Sequence, residues 1–297
     1  MALISRREFH RMAVAGVAAA PMALSSAQDA KGTVAGVRLG AQSYSFRDLP
    51  LDGAIAGYVQ AGLGFCELWQ GHVEPKGAEG EDRTKRRESL RAWRLAVPLD
   101  EFARIRKKFD DAGVQLTAYN LSFVDDFTDE EIHRGFEMGR ALGVKVITAS
   151  ANLSVVPRVA PLAKTFGITV GLHNHSRIAA NEFATPDDFA AATKGMPDLI
   201  AINLDIGHFT AANFDALDYL DKQHARIVSL HIKDRRREQG PNVPFGEGDT
   251  PIVAVLQRLR DRKWPIPAQI EYEYRGGDTV DEVKRCADYC RAALNNA

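Results

Sequence analysis

Ile168-Thr169-Val170-Gly171-Leu172-His173-Asn174-His175 is the stretch whose reading decides the fold. Its first six residues are mostly apolar or β-branched and carry no formal charge. The run is too short for a helix and suits a strand covered on both faces. It then breaks into His-Asn-His, which places ligand-type side chains at the strand's C-terminal end. The following apolar runs, at residues 199–205, 227–233 and 268–272, repeat this form. On the N-terminal side, runs at 37–43, 65–69, 115–121 and 145–150 bring the expected strands to eight.

Helical patterns with readable start signals lie between the strands. Thr128-Asp129-Glu130-Glu131 has the capping-box pattern, in which the Glu side chain reaches back to the cap. Thr185-Pro186 and Thr250-Pro251 each put proline at the expected first helical position, where its missing N–H costs nothing. Ile252, Val255, Leu256 and Leu259 then repeat at helical spacing. Eightfold alternation predicts an α/β protein, a single (β/α)8 TIM barrel over residues 37–297. An open doubly wound sheet is the structural alternative, weakened because no glycine-rich phosphate loop follows the first strand.

An insertion around residues 71–97 breaks the rhythm. Residues 74–94 hold seven basic and five acidic side chains, with Leu90, Trp93 and Leu95 near the end. It reads as part loop and part helix, either a lid over the catalytic rim or a solvated surface loop.

The N-terminus does not belong to the barrel. Ser5-Arg6-Arg7-Glu8-Phe9, an uncharged run over residues 12–24, and Ser25-Ser26-Ala27 form the pattern of a twin-arginine-type signal peptide over residues 1–27. An amphipathic helix or retained anchor is the alternative. Residues 28–36 are expected as a linker and the working protein as exported and periplasmic. Residues 1–27 carry a net +2 against −1 for the whole chain, leaving −3 on the remainder. Such a charge offers no footprint for nucleic acid. No later apolar run has membrane-spanning length, so no membrane contact is expected after signal cleavage. Cys66, Cys286 and Cys290 lack zinc-site spacing and read as packing residues.

In parallel barrels, chemistry gathers at the C-terminal strand ends. Those ends read His173-Asn174-His175, Asp205-Ile206-Gly207-His208, His231-Ile232-Lys233-Asp234 and Glu271-Tyr272-Glu273. Adjacent strands lie about 4.8 Å apart, so His173, Asp205, His231 and Glu271 can converge on one divalent ion. Two imidazoles and two carboxylates suit Mn, Co, Zn or Fe better than an all-oxygen Mg or Ca cage.

These motifs, with Gly246-Glu247-Gly248-Asp249 and Ile270-Glu271-Tyr272-Glu273-Tyr274, resemble the xylose isomerase-like barrel superfamily, commonly called sugar phosphate isomerase/epimerase. The resemblance covers roughly residues 37–292. It implies metal ligation by Asp205, His231 and Glu271. The family's further ligand is a Glu in Glu-Asn-His, here replaced by His173 in His173-Asn174-His175. That departure removes one of two carboxylates that shuttle a proton between the faces of an epimerase substrate. The His-Asn-His form resembles exported enzymes that eliminate the aglycone from a 3-keto glycoside.

The expected reaction begins with removal of a proton beside a metal-bound carbonyl of a non-phosphorylated sugar. It leads either to isomerisation or epimerisation, or to β-elimination by a 3-keto-glycoside lyase. Glu271 is the first candidate base and Glu67 the second, unless Glu67 positions substrate hydroxyls. His175 is a leaving-group acid or a supporting partner. His208 is expected against substrate, with Lys233 and Arg235 as positive donors. Tyr44, Trp69 and Tyr119, with Phe46, are expected as aromatic faces for sugar C–H surfaces or as barrel packing. A small carbohydrate is the expected partner, and the oligomeric state is left open. A non-catalytic sugar-binding protein and a metal-dependent DNA-repair enzyme are the competing classes. The charge near −3 disfavours the latter.

Overall fold

The computed structural model describes residues 32–77 and 80–296. The expected signal peptide and the start of the linker lie outside the described residues. The linker's end is built into the fold. Strand β1 (Thr33–Val34) turns through Ala35 and Gly36, both at positive φ, and pairs antiparallel with β2 (Val37–Gln42). Two consecutive left-handed residues give the tight hairpin twist that flanking strands require, and glycine adopts that conformation freely.

The eight expected strands are all present. After β2 come β3 (Phe65–Trp69), β4 (Gln115–Asn120), β5 (Val146–Ala149) and β6 (Thr169–His173). Then follow β7 (Ile200–Asp205), β8 (Ile227–Ile232) and β9 (Ala268–Ile270). Each pairs in parallel with its sequence neighbour, and β2 pairs with β9 through Leu39–Ala268 and Ala41–Ile270, closing the barrel. Helices cover the outside and bury the apolar outer face of the strands.

Local chemistry places these helices. Thr128 and Glu131 form the expected capping box of the helix Asp129–Ala141. Thr185 and Asp188 form a second one, with Pro186 opening its helix as expected. Pro251 differs: it is the N-cap of the helix Ile252–Arg262 rather than its first residue. The hydroxyl of Thr250 accepts instead from the Arg235 backbone N–H, at 3.0 Å. All three cysteines are buried free thiols, as packing residues should be.

The charged insertion carries a helix, Arg83–Ala96, whose basic face turns inward. Arg87 and Arg91 both reach Glu131, at 2.8 and 3.0 Å, and Arg94 bridges Glu131 and Glu74. The guanidinium groups of Arg87 and Arg94 also lie over the Phe127 ring. Glu131, with a fully buried side chain, therefore both caps one helix and pins another. Burial alone would raise its pKa. Hydrogen bonds from Arg87, the Thr128 backbone and Arg91 outweigh burial and hold it at about 2.

A carboxyl held below its ordinary value of 4.5 contributes stability above that pH and loses it as pH falls through about 2. Glu131→Gln should therefore cost roughly 3 kcal/mol at neutral pH. In urea unfolding, the gap between wild type and variant should narrow from pH 4.5 toward pH 2. A pH-independent gap would show that the carboxylate is not held ionised.

Candidate active site

The register of the last four barrel strands delivers the cluster. His173 on β6 lies beside Asn203 on β7, and Asp205 on β7 lies beside His231 on β8. Glu271 follows the end of β9. One ligand atom from each of His173, Asp205, His231 and Glu271 lies within 4.8 Å of every other, and all four residues are buried.

Beneath them sits Glu67, fully buried inside the barrel. Thr148 Oγ1 donates to its Oε1 at 2.6 Å, and Ser229 Oγ to its Oε2 at 3.2 Å. Asn203 Nδ2 donates to Oε2 at 3.4 Å, and His231 Nε2 lies 2.8 Å from Oε1. This carboxylate orients both imidazoles. Asn203 gives its NH2 to Glu67, so its carbonyl oxygen faces His173 Nδ1 at 2.7 Å and requires a proton there. The Nε2 lone pair of His173 is left free for a ligand. In the same way, donation of His231 Nε2–H to Glu67 leaves Nδ1 toward Asp205 and Glu271, an arrangement in which an outer carboxylate could orient a histidine for a metal.

Charge in the cluster is unbalanced. Four carboxylates, from Glu67, Asp205, Glu271 and Glu273, face the Lys233 ammonium and the His231 ring. Burial would lower the pKa of His231, but Glu67 and Glu271 outweigh it and push the ring well above its ordinary value. Burial would likewise raise Glu271, which Lys233 and His231 instead hold well below the carboxylate range. Asp205 goes the other way: burial raises it to about 6, with Lys233 only partly opposing. Its Oδ2 accepts no hydrogen bond, although Lys233 Nζ stands 3.1 Å away. Burial, with His231 and His175 adding to it, keeps His173 well below its usual pKa, hence neutral.

Above the cluster opens a cavity of about 270 Å³, lined on the cluster side by His173, His231 and Glu271. Tyr44 and Trp69, ring centroids 4.9 Å apart, form its aromatic wall. His175 and His208 also reach it. Five residues expected at the substrate, Glu67, Tyr119, Phe46, Lys233 and Arg235, do not line it. Glu67 lies below His231. Tyr119 faces outward, fully buried against Phe102, because strand side chains alternate and Asn120 takes the inward position. Phe46 packs on Tyr58 in the core. Lys233 is buried behind Asp205, Glu271 and Glu273, and Arg235 is directed to His208, Ser176 and the Gly240 carbonyl. Both act on the site through other residues. The sequence reading missed Asn203 and Glu273, which stand two residues from Asp205 and Glu271. The two-residue period of a strand is the signal that finds them.

His173, His175 and His208 also come within 4.8 Å of one another. That triplet is a poor cation site, because both nitrogens of His208 already face positive groups. Lys233 Nζ is 2.9 Å from Nε2, and Arg235 donates to Nδ1 at 2.8 Å.

The family model for the xylose isomerase-like TIM barrel matches residues 77–293. The chain belongs to that family. It is 23% identical over 223 residues to a putative L-ribulose-5-phosphate 3-epimerase of Shigella dysenteriae, covering 73% of this chain and 68% of the relative. Among solved structures, 3-keto-D-glucoside 4-epimerase of E. coli superposes with a TM-score of 0.64 at 14% identity, over 86% of this chain and 99% of the other. A sugar phosphate isomerase/epimerase of Parabacteroides distasonis gives 0.60 at 18% identity, over 91% and 96%. These structural likenesses extend the shared barrel around the whole site.

The Gly246-Glu247-Gly248-Asp249 motif builds the loop after β8. Asp234 accepts from the backbone N–H groups of Gly246, Gly248 and Thr250, at 2.8, 3.0 and 3.3 Å. This cradle fixes Arg235, next in sequence, against His208. A Cβ on Gly248 would meet Asp234 Oδ1 at 2.0 Å. Gly248→Ala should therefore open the cradle, at a stability cost on the order of 2 kcal/mol. It should also weaken substrate binding more than Gly195→Ala, a surface control whose strain is purely backbone. Unchanged thermal unfolding and unchanged KM would refute this role for the loop.

Proposed function

We propose that this chain is a divalent-metal-dependent enzyme that removes a proton beside the carbonyl of a non-phosphorylated sugar, within the isomerase and epimerase chemistry of its relatives. The observation carrying this reading is the four-residue cluster at the base of a sugar-sized cavity with an aromatic wall. The residues fit a dication. Asp205 offers an unsatisfied buried oxygen, and His173 offers a lone pair whose orientation is preset through Asn203. Carboxylates also outnumber cations. The nitrogen and oxygen donor set suits Mn, Co, Zn or Fe. Such an ion, when bound, polarises a carbonyl oxygen and favours the negative charge that appears when the neighbouring proton leaves.

The chain's own groups supply the rest. All side-chain contacts of Glu271 among the described residues run through Oε2, to His231 and Lys233, leaving Oε1 as the proton acceptor at the cavity floor. Lys233 holds Asp205, Glu271 and Glu273 in place from behind. Tyr44 and Trp69 cover a C–H face of the sugar. His175, the exposed member of the histidine group, carries a proton to or from the opposite side. A phosphorylated sugar is disfavoured in this cavity, because its lining holds Glu271 and Glu273 but no lysine or arginine. The twin-arginine-type leader read in residues 1–27 supports work in the periplasm, where free sugars and glycosides are met.

A second reading, elimination of the aglycone from a 3-keto glycoside, is favoured by the neutral imidazole at His173. With one carboxylate base rather than two, proton removal and return on opposite faces lose their symmetry, whereas elimination needs one base and one acid. The keto-glucoside epimerase of E. coli supports a keto sugar as the substrate type. Incubating metal-loaded protein with free sugars and with 3-keto glycosides, followed by NMR, separates the two. A released aglycone selects elimination, and an altered sugar skeleton selects isomerisation. Binding without turnover of either class would leave only a sugar-binding protein.

Asp205→Asn should abolish stoichiometric metal while preserving the circular dichroism spectrum, and Glu67→Gln should weaken metal binding roughly 10–100-fold. A full metal equivalent in purified Asp205→Asn would defeat the ligand assignment. Glu271→Gln should lose exchange of the substrate α-proton with deuterated water. Exchange at the wild-type rate would move the base elsewhere.

A further inference from the structure

Beside the sugar cavity lies a larger one of about 720 Å³, and Ser122 lines both. Gln70, the residue after Trp69, links them further by accepting the Ser122 backbone N–H at 2.7 Å. The chemistry of the two walls is opposite. The sugar cavity exposes two carboxylates, whereas the outer cavity is lined by Arg83, Arg86, Arg87 and Arg94 against the single carboxylate of Asp126. Its floor is apolar, made by Leu90, Val124 and Phe127.

The arginines divide by what they already hold. Arg94 is committed to Glu74 and Glu131, and Arg87 to Glu131 and Asp126. Arg86 donates to the Pro75 carbonyl and stands 3.7 Å from Glu81, with about a third of its side chain exposed. Arg83 is exposed at the start of its helix.

We infer that this outer cavity is a second subsite, which takes an aromatic carboxylate carried on the part of the substrate that projects beyond the sugar. An aryl ring would cover Leu90, Val124 and the edge of Phe127. Its carboxylate would meet Arg83 and Arg86, whose planar forks pair with carboxylates through two parallel hydrogen bonds. The inference rests on the sugar-processing reading for its substrate class, and on the cavity alone for its ligand chemistry. The insertion that interrupts the barrel pattern thereby becomes a specificity wall.

The test uses metal-loaded full-length protein, 4-carboxyphenyl β-D-glucoside and its uncharged 4-carbamoylphenyl analogue. Methyl resonances of Leu90 and Val124 report on the outer subsite, and the Trp69 indole reports on the sugar cavity. The acid is expected to shift the methyl resonances at roughly tenfold lower concentration than the amide. That preference should fade with added salt and vanish in Arg83→Gln/Arg86→Gln, whose changed side chains lie outside the catalytic cluster. Equal response to acid and amide, or no methyl response to the acid, overturns the subsite. A methyl response with an unmoved Trp69 upholds the subsite and counts against the sugar reading alone.

Discussion

The interior of this barrel is organised around one buried carboxylate, Glu67 on β3. Removing a carboxylate from water costs several kcal/mol unless donors surround it. Here the donors come from β5, β7 and β8, as Thr148, Asn203, Ser229 and His231. Four of the eight barrel staves are thus tied at one level by a charge that cannot be left unpaired. The same bonds set which nitrogen of His173 and of His231 faces the cavity. Barrel closure and the orientation of the four-residue cluster are two consequences of one desolvation requirement.

A second buried acid, Glu131, solves the same problem on the outside of the barrel. Three arginines from the inserted helix and the cap of its own helix surround it. The two networks differ in outcome. Around Glu131 the charges are matched, so that network only holds. Around Asp205 and Glu271 they are not, and an unsatisfied oxygen remains. Structural ion networks close on themselves, whereas this one stays open toward the cavity, as a binding site must.

Strand positions were legible because parallel barrel strands, buried on both faces, are continuous apolar runs that polar helix surfaces cannot imitate. The convergence of His173, Asp205, His231 and Glu271 was legible because they end consecutive strands. Depth along the barrel axis was not. Glu67 reads as a strand-end acid like the others, but its position one layer lower makes it a support for His231. For Tyr119 one residue of strand parity decides between the two readings, and it puts the ring in the core. The insertion's charges resembled a solvated surface because the sequence does not show that Glu131, about forty residues later, draws Arg87, Arg91 and Arg94 inward.

The Glu67 network also bears on the residue that departs from the family pattern. Asn203 must point its NH2 at Glu67, since turning the amide over would set its carbonyl against a buried carboxylate. Its carbonyl oxygen therefore faces position 173, and only a donor is tolerated there. Histidine satisfies this with Nδ1–H and still presents Nε2 to the cluster, whereas an ionised glutamate would meet an acceptor 2.7 Å from the present Nδ1. The His-Asn-His form is thus coupled to the polar filling of the barrel below it. A carboxylate at 173 would call for a donor in place of the Asn203 carbonyl, so position 173 is fixed by the interior and not by one residue alone.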